Sequence, residues 1–174
     1  AAEDKAKLLE CRAAADTTDC TGIDGAAWQP CPMDSWEAAT EPCGAGWDDR
    51  GSGWVGVECD AHHGRVMYVR LGGSGVGGEL LPFFARLGAL LALVLFANPA
   101  LTGNIADLAP ATELRYLWLS GCPLVVGDLG ALAVLTHLGE KYTRPDGSLW
   151  DGALYLAESG VSGSVVPLRA LPGL

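Results

Sequence analysis

The chain has 174 residues, 49% hydrophobic and 18% charged, with a formal net charge of −10. That suits one domain with a packed core and is too apolar for an acidic disordered tail. With 11 basic against 21 acidic residues, the chain lacks the phosphate-neutralising charge that nucleic-acid binding needs.

The charge is uneven along the chain. Residues 1–63 hold 13 acidic and 4 basic residues, and residues 64–174 hold 8 and 7. An acidic N-terminal segment therefore meets a near-neutral remainder at His63–Gly64. The start, Ala-Ala-Glu-Asp, is expected to be a mature terminus left by cleavage behind small residues. Glu3–Ala15 reads as a helix with Ala6, Leu8, Leu9, Ala13 and Ala14 among its apolar positions. Five of the six cysteines (11, 20, 31, 43, 59 and 122) lie in the first third, which favours local disulfides and an oxidising compartment. No Cys-x-x-Cys pair occurs, and His62–His63 are adjacent rather than at ligand spacing. Asp48, Asp49 and Asp60 lack the spacing of a calcium loop. No metal and no cofactor are expected. In the longest uncharged stretch, Leu87–Ala106, the apolar part ends at Ala97; those eleven residues fall short of the ~20 that cross a bilayer.

From Val69 onward the sequence repeats. VRLGGSGVGGEL, LVLFANPALTGNI and LWLSGCPLVVGDL each carry Leu/Val-x-Leu, a turn, then Gly two residues before an aliphatic or its equivalent. Their second leucines, Leu71, Leu95 and Leu119, are spaced by 24. The next match, LYLAESGVSGSV, is anchored on Leu156, 37 residues on, and removing the 13 residues 141–153 (KYTRPDGSLWDGA) restores the period. Each Leu-x-Leu segment alternates, so it reads as a short strand with both leucines inward. Asn98 or Cys122 then sits where a buried polar side chain can bond loop backbone. Gly78, Gly103, Gly127 and Gly163 are expected to permit tight turns. Leu108, Leu114, Leu129, Leu132, Leu135 and Leu138 line a return path of 3₁₀ or irregular turns. One such coil cannot bury its apolar face alone; stacked coils can.

This pattern resembles the plant-type leucine-rich repeat, most closely in TELRYLWLSGCPLVVGDL and LLALVLFANPALTGNI. Two inserted residues and a missing proline after Ile105 are departures. The first third supports the same resemblance, because Cys43…Trp54-Val55-Gly56-Val57-Glu58-Cys59 is similar to the cap that opens such proteins. The resemblance implies an α/β solenoid with a short parallel sheet on its concave face and an irregular or 3₁₀ convex side. A helical, disulfide-stapled cap (1–63) precedes the solenoid (64–174), which carries the insertion at 141–153. It also implies a Cys43–Cys59 disulfide, worth about 3 kcal/mol for a loop of that size. Cys20–Cys31 is the favoured second pair, leaving Cys11 free, although three cysteines allow three pairings. Cys122 takes the Asn position of its repeat and is expected to be a buried thiol.

Catalytic patterns do not survive inspection. Gly73-x-Gly75-x-x-Gly78 matches a dinucleotide fingerprint, but neither a well-capped helix nor an acid about 20 residues on follows it. No nucleophile elbow occurs, and His137 falls in a return path. Stacking the strands instead predicts exposed columns on the concave face: Tyr68, Ala92, Tyr116, Ala153; then Arg70, Val94, Trp118, Tyr155; then Gly72, Phe96, Ser120, Ala157. Aromatic and arginine side chains on a rigid face are the makings of an interface. The insertion adds Tyr142, Arg144 and Trp150 around a Pro145-Asp146-Gly147 turn signal. The reading is a non-catalytic module that binds a protein partner through Tyr68, Arg70, Phe96, Tyr116, Trp118, Tyr155, Arg144 and Trp150, in an extracellular or thylakoid-type lumenal setting. The alternative is an accessory subunit docked permanently to a larger assembly, such as the lumenal side of a photosystem-type membrane complex.

Overall fold

The computed structural model describes residues 2–15, 32–38, 42–43, 54–60, 63–144 and 147–174. Helix α1 (Ala2–Ala14) is alanine-rich, with Glu3 and Asp4 in its first turn and Arg12 in its last, an arrangement that complements the helix dipole. It buries Leu8 and Cys11. The fully buried Asp4 accepts from Arg65 Nε at 3.0 Å and from the Val66 backbone N–H at 3.1 Å. Those partners are what make a buried carboxylate tolerable, and they pin the helix to the first repeat strand. A 3₁₀ turn at Pro32–Ser35 leads to Trp36, which stacks on Trp54 at 5.6 Å and donates from Nε1 to the Val55 carbonyl at 3.0 Å. The Cys43–Cys59 disulfide closes this end, with its Cα atoms 5.5 Å apart. Cys11 is a buried free thiol. The expected Cys20–Cys31 pair lies outside the described residues.

The strands follow in chain order: β1 (Val57–Cys59), β2 (Val66–Arg70), β3 (Gly78–Glu79), β4 (Ala92–Val94), β5 (Leu101–Asn104), β6 (Tyr116–Trp118), β7 (Val125–Asp128), β8 (Tyr142–Thr143), β9 (Leu149–Trp150), β10 (Ala153–Tyr155) and β11 (Gly160–Ser162). One sheet runs β1-β2-β4-β6-β10. β1 is antiparallel to β2, and every later pair is parallel. Its inward leucines, Leu71, Leu93, Leu95, Leu117 and Leu119, are buried. Return-path residues Leu108, Leu114, Leu132, Leu135 and Leu138 meet them from the other side. Each buried leucine contributes roughly 1.5–3 kcal/mol. The return paths contain 3₁₀ turns at Ile105–Leu108, Leu129–Val134 and Val166–Ala170, as expected. The first return path differs, holding a short helix, α2 (Leu81–Ala85), started by Pro82 rather than by a side-chain cap.

The four glycines after the anchors do more than turn the chain. Gly78, Gly103 and Gly127 lie in strands of a second parallel sheet, ordered β11-β7-β5-β3. Together with Gly163, which follows β11, they have φ of 91°, 134°, 130° and 106°. The reading of tight turns alone is thus corrected: glycine is needed for its positive φ, but two to four residues around each site pair across coils. A Cβ on Gly127 would overlap Asn104 and Ile105 of the preceding coil.

A polar ladder runs through the coils three residues after each anchor. Ser74 Oγ donates to the Leu71 carbonyl at 2.6 Å, and Ser159 Oγ to that of Leu156 at 2.6 Å. Asn98, fully buried, donates from Nδ2 to the Leu71 and Leu95 carbonyls, both at 2.8 Å, and accepts at Oδ1 from the Val76 N–H at 3.1 Å. Cys122 Sγ donates to the Leu95 carbonyl at 3.1 Å, and burial pushes this thiol's pKa up. One residue earlier each coil takes positive φ: Gly73 at 64°, Ala97 at 52°, Gly121 at 71° and Glu158 at 57°.

In the last coil the inward Leu154, Leu156 and Val161 are only half-buried, and Val165 and Val166 are exposed.

Candidate functional site

The pairing β2–β4–β6–β10 aligns Tyr68, Ala92, Tyr116 and Ala153, and beside them Arg70, Val94, Trp118 and Tyr155. Backbone bonds beyond the strands carry the register on: Gly73 N–H to Phe96 O at 2.6 Å, Ala97 N–H to Ser120 O at 2.7 Å, and Gly121 N–H to Ala157 O at 2.8 Å. The columns read from the repeat spacing are therefore present. Phe96 stacks on Trp118 at 4.4 Å, Trp118 meets Tyr155 at 5.3 Å, and Tyr155 meets Tyr116 at 5.8 Å. Phe96 leans over Gly72, where a Cβ would overlap its ring. Tyr155 remains 47% exposed and Trp150 39%.

The insertion forms an antiparallel hairpin, β8–β9, with Tyr142 opposite Trp150. It lies back across the concave face. Tyr142 packs 6.0 Å from Tyr68, over Ala92. Arg144 passes its guanidinium 4.6 Å over Trp150 and 5.7 Å over Tyr68 and donates to Glu58 Oε2 at 2.9 Å. Arg70 sits 5.4 Å over Trp150 and 3.4 Å from Glu58 Oε1. Burial raises the pKa of Tyr68 far above the ordinary phenol range, and burial likewise raises those of Tyr142 and Tyr116.

Two of the eight expected contact residues are thus engaged inside the molecule: Tyr68 is fully buried and Arg144 is 5% exposed. Phe96, Tyr116, Trp118 and Tyr155 lie together on the open part of the sheet, with Arg70 and Trp150 at the hairpin's edge. Glu58, which anchors the hairpin, was not singled out in the sequence. Its only local signal is a carboxylate between the inward Val57 and the disulfide Cys59.

Between hairpin and sheet lies a groove of about 320 Å³. Its floor is small, Gly72, Ala92 and Val94, because the register sets these residues between the larger ones. Its walls are Arg70, Phe96, Tyr116, Trp118, Tyr142 and Trp150. Elsewhere, His137 Nδ1 pairs with Glu140 at 2.9 Å beside Arg115, with no nucleophile in the contact. Among the described residues no cluster of three or more His, Cys, Asp or Glu is placed to hold a metal, and no helix is long and apolar enough to cross a membrane.

No known sequence family matches the chain, and no curated protein is recognisably similar in sequence. Solved structures are similar in fold. The PEPR1–AtPEP1 crystal structure matches at 23% identity and TM-score 0.70, over 100% of this chain and 20% of that one. A plant ice-binding protein matches at 24% and 0.69, over 100% and 46%. The BIR2 ectodomain from Arabidopsis thaliana matches at 22% and 0.71, over 98% and 76%. The chain thus spans about a fifth and just under half of the first two. With its parallel inner sheet, its 3₁₀ return turns and its disulfide-closed helical cap, the chain has the leucine-rich-repeat fold of the plant ectodomains.

Proposed function

We propose that this chain is a non-catalytic module that binds a protein or peptide partner on the open part of its concave face. The observation that carries this reading is the contiguous, solvent-facing aromatic row Phe96–Trp118–Tyr155, flanked by Tyr116 and held on paired parallel strands. Rigid aromatic side chains lose little entropy on docking and dominate interface energetics. The solved structure of PEPR1 with AtPEP1 and that of HAESA with an IDA peptide hormone ligand are of proteins similar in fold to this one, which is consistent with a peptide-sized ligand. The Cys43–Cys59 bridge supports an oxidising compartment, extracellular or a thylakoid-type lumen.

The test compares the proteins retained from a native extract by the intact chain and by a Trp118→Ala/Tyr155→Ala variant of equal thermal stability. A partner held by the first and lost by the second is expected. An unchanged set overturns the reading.

A second reading, a permanently docked accessory subunit, is favoured by the exposed Val165, Val166 and Leu174 of the last coil. On that reading the protein runs in its native extract inside a large assembly, and Val165→Asp/Val166→Asp releases it.

A further inference from the structure

The groove under the hairpin has features that docking of a protein does not require. At about 320 Å³ it is the size of a small-molecule site. Every wall except one is an aromatic ring, and that exception is Arg70. A guanidinium has five N–H donors. Among the described residues, Arg70 meets one carboxylate oxygen, Glu58 Oε1 at 3.4 Å, and its buried Nε makes no hydrogen bond. Its other contacts are the ring faces of Trp150 and Tyr68, at 5.4 and 5.8 Å. The second oxygen of Glu58 is already taken by Arg144. Arg70 therefore lines the groove with donors unspent.

A planar, bidentate acceptor is what such a fork matches, and carboxylate is the simplest. A dianion such as phosphate would suffer more from Glu58, which sits beside the same guanidinium. The flat walls select the rest of the ligand. Phe96 and Trp118 stack on one side and Trp150 stands on the other, over a floor too small to fill the space between them. We propose that this groove binds a planar aromatic monocarboxylate, its ring against Trp118 and Trp150 and its carboxylate on Arg70. This goes beyond the docking reading and does not depend on it.

Calorimetric titration of the intact protein with 2-naphthoate tests the proposal, with 2-naphthamide as the neutral isostere. Saturable one-to-one binding of the acid is expected, with the amide weaker by about tenfold or more, the ratio a charge-assisted pair supports. Arg70→Gln should remove that preference while leaving the unfolding temperature close to that of the parent. Val94→Phe, which fills the floor without touching charge, should abolish binding of both compounds. Equal affinity for acid and amide, no saturable binding by the intact protein, or unchanged binding by either variant overturns the proposal. Capture that depends on Trp118 and Tyr155 while naphthoate fails to bind leaves the docking reading in place, and a captured set unchanged by Trp118→Ala/Tyr155→Ala while the intact protein binds naphthoate does the reverse.

Discussion

Two successive coils fill the same ladder position with different chemistry. In the coil of Leu95, Asn98 joins three backbone groups, the Leu71 and Leu95 carbonyls and the Val76 N–H. In the coil of Leu119, Cys122 makes one short contact, to the Leu95 carbonyl. The reason lies in what the preceding coil presents. Val76 is buried, so its N–H needs an acceptor. At the corresponding place one coil later stand Pro99, which has no N–H, and Ala100, which is exposed and solvated. A thiol, set against the Leu95 carbonyl and the Asn98 backbone N–H, suffices where the next two residues of the preceding coil present no buried donor. The residue at a ladder site is set by the neighbour's orphan groups rather than by the repeat consensus.

Breaking the ladder should expose this difference. Asn98→Ala leaves the buried Val76 N–H without an acceptor, while the Leu71 and Leu95 carbonyls keep Ser74 and Cys122. With the orphaned N–H at roughly 1–3 kcal/mol and the lost side-chain bonds added, a loss of about 3 kcal/mol is expected in denaturant unfolding. Cys122→Ala should cost about 1 kcal/mol. Equal losses would mean that the ladder bonds do not distinguish the coils. Because neither Pro99 nor Ala100 presents a buried N–H, Cys122→Asn should give no gain.

The coil with the weaker ladder is also the one whose return path leads into the hairpin, so the hairpin is the next place to probe. Arg144→Ala removes the Glu58 contact and the stacking on Trp150, and about 2 kcal/mol should be lost. The looser hairpin should also show in an alkaline titration followed by tyrosinate absorbance. Burial holds Tyr68 and Tyr142 in the neutral form. The stability this supplies is complete below the ordinary phenol pKa of about 10 and is lost as pH rises above it. In the variant those two phenols should ionise closer to the ordinary value. Arg144's own charge favours both phenolates, so a titration moved further up would show that the hairpin stays closed without it.

The smallest effect sharpens the same comparison. Ala97 and Gly121 occupy the same left-handed site, at φ of 52° and 71°. Ala97→Gly relieves a penalty of roughly 1–2 kcal/mol and gives back about half in unfolded-chain entropy. A gain of about 0.5 kcal/mol is expected, and a net loss would place the strain elsewhere.

The solenoid was legible because its signals are local and periodic. The 24-residue spacing placed Leu71, Leu95 and Leu119 inward, and the same spacing set Trp118 beside Val94 and one column from Phe96. The second sheet was not legible, because Gly78, Gly103 and Gly127 satisfy a turn reading equally well and strands of two to four residues carry little alternation. Nor was the burial of Tyr68. That depends on where the insertion lies, and nothing in residues 141–153 indicates that Arg144 reaches a carboxylate 86 positions earlier.

That reach changes how the molecule comes apart. A stack of coils ordinarily frays from its ends, since each coil is held only by its neighbours. Here the bond from Arg144 to Glu58 runs across the inside of the curve like a bowstring, from beyond the third repeat back to the cap. Opening the cap must then loosen the hairpin, and lifting the hairpin must loosen the cap, while the coil of Leu156, which follows Arg144 in the chain, stands outside that tie. The cap, the hairpin and the coils between them melt as one cooperative unit.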